Sequence, residues 1–244
     1  MTKPILIVQL REEDAAAENE FDAIKRYGGL TDAEVHRLRA EQAPLQNIDL
    51  DRYCAIIVGG SPFDISTAAD RKSTTQLKIE AGFKDLFDNV VPRDFPFLGC
   101  CSGNGLLGAY LGAPISDKYA EPVGSATIQL TAEGRRDRLL HDFPDSFKVL
   151  LGHKEACDAT PPGAVLLASN SACPVQMFRL KNNIYATQFH PEADAEGFTI
   201  RINIYKDFGY FPAESADKLI AAVENEDSPQ AQLLLKRFVD TYRT

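Results

Sequence analysis

The chain has 244 residues, 44% of them hydrophobic and 25% charged, with a formal net charge of −9. That length suits one large α/β domain or two small ones, and the acidic balance argues against non-specific binding to nucleic acid or an anionic membrane. No apolar run approaches a membrane span, the N-terminus reads as a first strand rather than a leader, and five cysteines without framework or metal-ligand spacing point to a reducing, cytoplasmic compartment.

Taken in order, residues 4–10 read as a buried strand and 15–28 as a helix ending at Gly28-Gly29, a plausible C-cap. Between them, Arg11-Glu12-Glu13-Asp14 reads as an acidic loop. Thr31-Asp32-Ala33-Glu34 has the form of a capping box opening a short second helix. Tyr53 to Val58 is a buried strand that runs into Gly59-Gly60-Ser61-Pro62, a tight turn at a strand's carboxyl end, where open α/β sheets place ligand loops. A polar loop over 64–74 precedes an amphipathic helix over 75–90, closed by Pro92 and Pro96.

Phe95 to Gly105 holds the stretch the rest of the chain serves. An apolar run ends in Gly99-Cys100-Cys101-Ser102-Gly103, and a helix-like run (Leu106, Leu107, Ala109, Tyr110, Leu111) follows at once. This is the layout of a nucleophile elbow, in which a strand turns sharply into a helix and presents one residue at the helix N-terminus. The flanking glycines permit the strained turn and the close backbone packing it needs. Free N–H groups and the positive end of the helix dipole favour thiolate over thiol at Cys101. Cys100 reads instead as a small buried hydrophobe.

Beyond the elbow, residues 125–131 alternate like an exposed-edge strand and 139–144 read as a short helix. Residues 147–151, 165–169, 174–180 and 183–189 read as strands, the last two joined as a hairpin at Lys181-Asn182. Three helices follow, over roughly 195–209, 213–224 and 228–243, punctuated by Pro212 and Asp227-Ser228-Pro229. No repeat or linker interrupts the chain, so 1–244 is expected to be a single domain, with a core over 4–192 and a helical extension over 195–243. The apolar face of the extension (Phe198, Ile200, Ile202, Tyr205, Phe208, Tyr210, Phe211) suits packing onto the domain better than a homodimer or synthase interface, or a lid.

A cysteine nucleophile needs a base, and the base an orienting group. His36 falls in a polar helix and His141 in a short helical segment, both read as surface. His153 follows a strand and could line a site. His190 also ends a strand, and Glu192 lies two residues on, on the same side of an extended segment and within reach of the imidazole.

Gly99-Cys100-Cys101-Ser102-Gly103, followed by Gln188-Phe189-His190-Pro191-Glu192 and preceded by Gly59-Gly60-Ser61-Pro62, resembles the class I (triad-type) glutamine amidotransferase family. The stretch from Phe147 to Glu192 is similar in particular to the amidotransferase domain of GMP synthase. The resemblance covers about residues 4–192. It implies a three-layer αβα open sheet, mostly parallel and flavodoxin-like, with the helical extension appended. It also implies hydrolysis of the γ-amide of glutamine or of a γ-glutamyl compound, with no cofactor and no metal. Carried over by position, Cys101 is the nucleophile, His190 the base and Glu192 its orienter, with an oxyanion hole from the backbone N–H groups of Gly60 and Ser102. Gly59, Asn104, Gly105 and His153 fall where the family meets its substrate. Asn104 and Gly105 depart from the pattern, because many members carry a substrate-holding glutamine at the place of Gly105. That departure keeps a stand-alone γ-glutamyl peptidase in play. The absence of an ATP-binding domain in the sequence leaves room for a partner in the form of a separate ATP-dependent synthase chain. A non-catalytic regulatory subunit that retains the fold is the third reading.

Overall fold

The computed structural model describes residues 3–207 and 211–243. In chain order the elements are β1 (Ile5–Gln9), α1 (Asp14–Gly28), β2 (Val35–Arg39), β3 (Ala55–Val58), α2 (Thr74–Arg93), β4 (Phe97–Cys100) and α3 (Ser102–Tyr110). There follow β5 (Ile115–Ser116), β6 (Glu121–Leu130), α4 (Ala132–Arg136), β7 (Ser146–His153), β8 (Ala156–Cys157), β9 (Ala164–Ser169), β10 (Met177–Leu180) and β11 (Ile184–Thr187). The chain closes with α5 (Ala195–Tyr205), α6 (Ala216–Val223) and α7 (Pro229–Tyr242).

Nine strands form one sheet in the order β2-β1-β3-β4-β11-β10-β9-β6-β7. The first five run parallel, and the sheet turns antiparallel at the β11–β10 hairpin. The short apolar strands of the parallel half are buried on both faces, as crossover helices require. Side-chain alternation divides them between two cores. Ile5, Ile7, Ala55, Ile57, Leu98 and Cys100 face the layer that holds Ile24 of α1 and Leu234, Leu235 and Phe238 of α7. Leu6, Val8, Ile56, Val58 and Phe97 face Phe83 and Phe87 of α2 and Leu106 and Leu107 of α3. This is the three-layer αβα arrangement, with the sheet as its middle layer.

The C-terminal helices pack on the body of the molecule. The apolar face of α7 is fully buried, and α5 and α6 share a smaller core with Leu150 of β7 and Val123 of β6. Phe208 and Tyr210, part of the apolar face read in the sequence, lie outside the described residues.

Four local expectations are revised. The capping box at Thr31 forms, with the Glu34 carboxylate accepting from Thr31 N–H at 2.9 Å, but it closes a single 3₁₀ turn and not a helix. Val35 then enters β2, paired in parallel with β1, so His36 lies on a strand, where its Nδ1 meets the Tyr53 hydroxyl at 2.5 Å. A vacant edge beside β1 outweighs a weak local helix signal. Residues 139–144 form turns, since Asp142 takes a positive φ of 64° and Pro144 follows. The short helix is α4 instead, capped by Thr131 Oγ1 accepting from Gly134 N–H at 2.9 Å. β6 is not an edge strand, because β7 covers it. Finally, α2 runs on through Pro92, which sits in the last turn, and ends at Asp94 in the left-handed region.

Candidate active site

The site forms at the carboxyl ends of β1, β3, β4 and β11. Cys101 stands between β4 and α3 with φ 51° and ψ −94°, a conformation costly for a residue with a side chain. The turn is held because Gly99 and Gly103 meet backbone to backbone. A Cβ added to Gly99 would lie 2.8 Å from the Gly103 carbonyl carbon, with no room to yield. Cys101 N–H donates to the Thr187 carbonyl at 2.8 Å, which fastens the elbow to β11. Cys100 packs in the core below, as a small hydrophobe.

His190 follows β11 and is anchored by its own N–H donating to the Leu150 carbonyl at 3.0 Å. Its Nδ1 lies 2.9 Å from Glu192 Oε1, and the Glu192 carboxylate is fully buried. His190 and Cys101 line one cavity together. Phe198 of α5 stands edge-on to the imidazole, ring centres 5.6 Å apart.

Burial dominates the electrostatics. It pushes the Cys101 thiol up to about 12, against the opposing pull of the Arg11 guanidinium. Burial likewise holds the proton affinity of His190 below the usual imidazole value, although Glu192 pulls the other way. The Glu192 carboxyl stays well below the usual range because His190 and Arg201 favour its anion against desolvation. Burial thus weighs against both the thiolate and the imidazolium. At Cys101 that desolvation opposes the thiolate that the N-terminus of α3 favours.

Three further charged residues complete the site, and the motifs did not reveal them. Arg11 Nε donates to Glu20 Oε2 at 2.8 Å and its Nη1 to the Tyr205 hydroxyl at 3.1 Å. Arg201 Nη2 donates to Glu192 Oε1 at 3.0 Å, and its Nη1 lies 3.2 Å from His190 Nδ1. The one signal in the sequence was an arginine inside the apolar run Phe198 to Ile202. Arg11 and Glu20 carried none, since Arg11 opens an acidic loop and Glu20 sits in a helix rich in charge.

Glu20 also bears on the expected oxyanion hole. Its Oε2 accepts the Gly60 N–H at 3.1 Å, so that donor is engaged by an internal carboxylate. Gly59 sits against the same carboxylate, where an added Cβ would lie 2.2 Å from Glu20 Oε1. Ser102 begins α3 beside Cys101, among the N-terminal N–H groups that a helix leaves unpaired.

A second cavity also touches Cys101, and His190 is not among the residues that line it. Ser102, Gly105 and His153 line it, with Asp64, Lys154 and Glu155. Ile65 occupies the space a side chain at position 105 would take, its Cδ1 2.9 Å from an added Cβ. Glu155 holds that loop by accepting from Ile65 N–H at 2.6 Å and Ser66 N–H at 2.8 Å. Asn104 turns inward instead, fully buried, with Cys157 Sγ donating to its Oδ1 at 3.3 Å.

Glu121, His153 and Cys173 bring three potential metal-ligand atoms within 4.8 Å of one another. Those groups already satisfy one another and their neighbours. His153 Nε2 lies 3.0 Å from Glu121 Oε2, His153 Nδ1 lies 3.0 Å from the Glu155 carbonyl, and Gln176 and Asn170 donate to the same carboxylate. The cluster reads as a brace between β6, β7 and the segment before β10.

A family model described as class-I glutamine amidotransferase matches residues 17–202, the greater part of the chain. The chain belongs to the class-I glutamine amidotransferase family. Among curated relatives it is 28% identical to a glutamine-hydrolyzing GMP synthase chain of Sulfolobus acidocaldarius, over 59% of this chain and 70% of that one. It is also 28% identical to the GMP synthase of Bacillus velezensis, over 69% of this chain but only 29% of the longer relative. Among solved structures, a glutamine amidotransferase of Thermotoga maritima superposes with a TM-score of 0.70 at 20% identity, covering 97% of this chain and 98% of that one. A glutamine amidotransferase from Methylobacillus flagellatus gives 0.69 at 17% identity, covering 100% and 97%. At those identities the two structures speak for the fold, and this family member shares its sheet and layers.

Proposed function

We propose that this amidotransferase-family chain is a cysteine-nucleophile hydrolase that cleaves the γ-amide of glutamine or of a γ-glutamyl compound. One observation carries the reading: a thiol on a strained elbow shares a cavity with an imidazole whose Nδ1 is held by a buried carboxylate. With Glu192 on Nδ1, His190 is left its Nε2 to take the thiol proton. As Cys101 Sγ attacks the amide carbonyl, its proton passes to His190, and Glu192 stabilises the imidazolium that forms. Burial opposes both charged forms, so charge is expected to separate only once the substrate carbonyl is in place.

The tetrahedral oxyanion would be held by the Ser102 N–H, and by the Gly60 N–H once Glu20 releases it. A single such donor is worth roughly 3 kcal/mol of barrier. Collapse breaks the C–N bond, His190 protonates the departing nitrogen, and a γ-glutamyl thioester remains on Cys101. Water, deprotonated by His190, then frees glutamate and restores the thiol. The cavity on the elbow side suits the glutamyl moiety. In its wall Lys154 Nζ and Asp64 Oδ2 stand 2.6 Å apart and offer both signs of charge to an α-carboxylate and an α-ammonium.

Relatives named as GMP synthase support a second fate for the nitrogen, delivery of ammonia to a separate ATP-dependent synthase chain. The test for hydrolysis itself is covalent labelling by a glutamine-mimicking diazoketone, together with release of glutamate from glutamine and from γ-glutamyl-alanine. Both are expected to vanish in Cys101→Ala. Turnover that survives the substitution refutes the assignment and favours a regulatory chain that retains the fold.

A further inference from the structure

Cys101 lines two cavities, and the chemistry divides a substrate between them. One holds His190, with Arg11 and Arg201 in its wall. The group that takes the thiol proton must return it to the departing nitrogen, so that nitrogen belongs to the cavity of His190 and the glutamyl half to the other. The second cavity is small, about 20 Å³, so a glutamyl chain enters it only as the loop that carries Phe63 and Asp64 yields.

The polar side chains in the wall of this second cavity are engaged with one another or with backbone, save one. Lys154 Nζ stands 2.6 Å from Asp64 Oδ2. The Glu155 carboxylate accepts from the N–H groups of Ile65 and Ser66. His153 has Glu121 Oε2 on one ring nitrogen and the Glu155 carbonyl on the other. Ser61 Oγ accepts from Phe63 N–H at 2.8 Å, and Ser102 Oγ donates to the Ser61 carbonyl at 3.4 Å. Gln188 is the exception. It is 3% exposed and lines the cavity, and its Oε1 is buried with no hydrogen-bond partner among the described residues.

The backbone holds Gln188 in place beside the elbow. Its N–H donates to the Gln176 carbonyl at 2.8 Å, and the carbonyl of the preceding Thr187 accepts from Cys101 N–H. Position 105 cannot reach into the same space, because an added Cβ there would meet Ile65 Cδ1 at 2.9 Å. A buried acceptor that has lost water and gained no donor keeps its desolvation cost, so its presence in a folded protein calls for a partner. On the glutamyl half of a substrate the α-carboxylate only accepts and the methylenes do neither. The α-ammonium is the donor, with three N–H bonds to share between Gln188 and Asp64.

We infer that Gln188 is a specificity-determining residue of this site, its Oε1 receiving the α-ammonium of the glutamyl group. This rests on the hydrolase reading above and deepens it, by restricting the acyl half to glutamyl groups with a free α-amine.

The test compares two diazoketones on the full chain: 6-diazo-5-oxonorleucine and 6-diazo-5-oxohexanoate, which lacks only the α-amine. Iodoacetamide, which has no glutamyl group, serves as the indifferent reagent. Wild type is expected to be labelled at Cys101 at least tenfold faster by the compound that bears the amine. In Gln188→Leu that ratio should fall about tenfold while the iodoacetamide rate holds, a split that a loosened fold does not produce. Gln188→Glu, which keeps an acceptor, should preserve the ratio. Should Gln188→Leu fail to fold, Gln188→Met keeps the length of the side chain, removes the carboxamide and is expected to give the same fall. Labelling of wild type at equal rates by the two diazoketones, a ratio unmoved in the Leu or Met variant, or a ratio lost in Gln188→Glu overturns the role of Gln188 and leaves the hydrolase reading standing. Iodoacetamide labelling of Cys101 without labelling by either diazoketone overturns both.

Discussion

At the scale of the residue, the site is governed by where charge is allowed to exist. Arg201 touches both members of the base pair, with Nη1 3.2 Å from His190 Nδ1 and Nη2 3.0 Å from Glu192 Oε1. Its positive charge disfavours the imidazolium, as does burial, the larger cause. The direction for pH follows. His190 can act as base only when neutral, so activity is lost as pH falls through its proton affinity, and that limb is expected below the ordinary imidazole value of about 6.5. Arg201→Met removes a neighbouring cation and leaves Glu192 to His190 alone. The acid limb of the kcat/KM profile should then move upward, by on the order of one pH unit. Arg201→Lys, which keeps the charge, should restore much of the original midpoint. A limb unmoved by Arg201→Met would reduce the residue to packing. Cys101, His190 and Glu192 were legible in the sequence because each belongs to a short local pattern. Arg11, Glu20 and Arg201 were not, because their roles depend on residues up to 194 positions away.

At the scale of the element, the elbow shows how tightly sequence can dictate backbone. Gly99 and Gly103 sit where the strand end and the first turn of α3 touch, and the neighbour of an added Cβ is backbone, not a flexible side chain. Gly99→Ala must push β4 and α3 apart. A cost of about 1–3 kcal/mol is expected from overpacking alone, seen as a lower urea midpoint. Labelling of Cys101 should slow by more than that loss explains, since the turn itself is displaced. Equal labelling in a folded Gly99→Ala protein would show that the close approach is not what aims the thiol. The strands of the parallel half were readable for a related reason, because each is a short apolar run buried on both faces. β2 was not, since Val35 to Arg39 is only partly covered and strongly charged, and its strand character comes from pairing with β1.

At the scale of the whole molecule, the same buried charges tie distant parts of the chain together. Arg11 follows β1, Glu20 lies on α1, Glu192 follows β11, and Arg201 and Tyr205 belong to α5, beyond the sheet. Glu20 accepts from Gln9, Arg11 and Gly60, with Arg201 Nη2 3.9 Å away. Such a network adds little net stability over a well-packed apolar substitute, yet breaking one member leaves its partner charged and buried, at about 3–5 kcal/mol. Arg11→Met and Glu20→Gln should therefore each lower the urea midpoint. Arg11→Met should do so less, because Arg201 stays near Glu20. The double variant should cost well under the sum, since neither charge is then left alone, and the shortfall measures their coupling. Strict additivity would mean that the two residues stabilise the fold independently. In that case Arg11 would be free to serve the cavity without fastening α5 to the first strand, and the site and the scaffold would be separable.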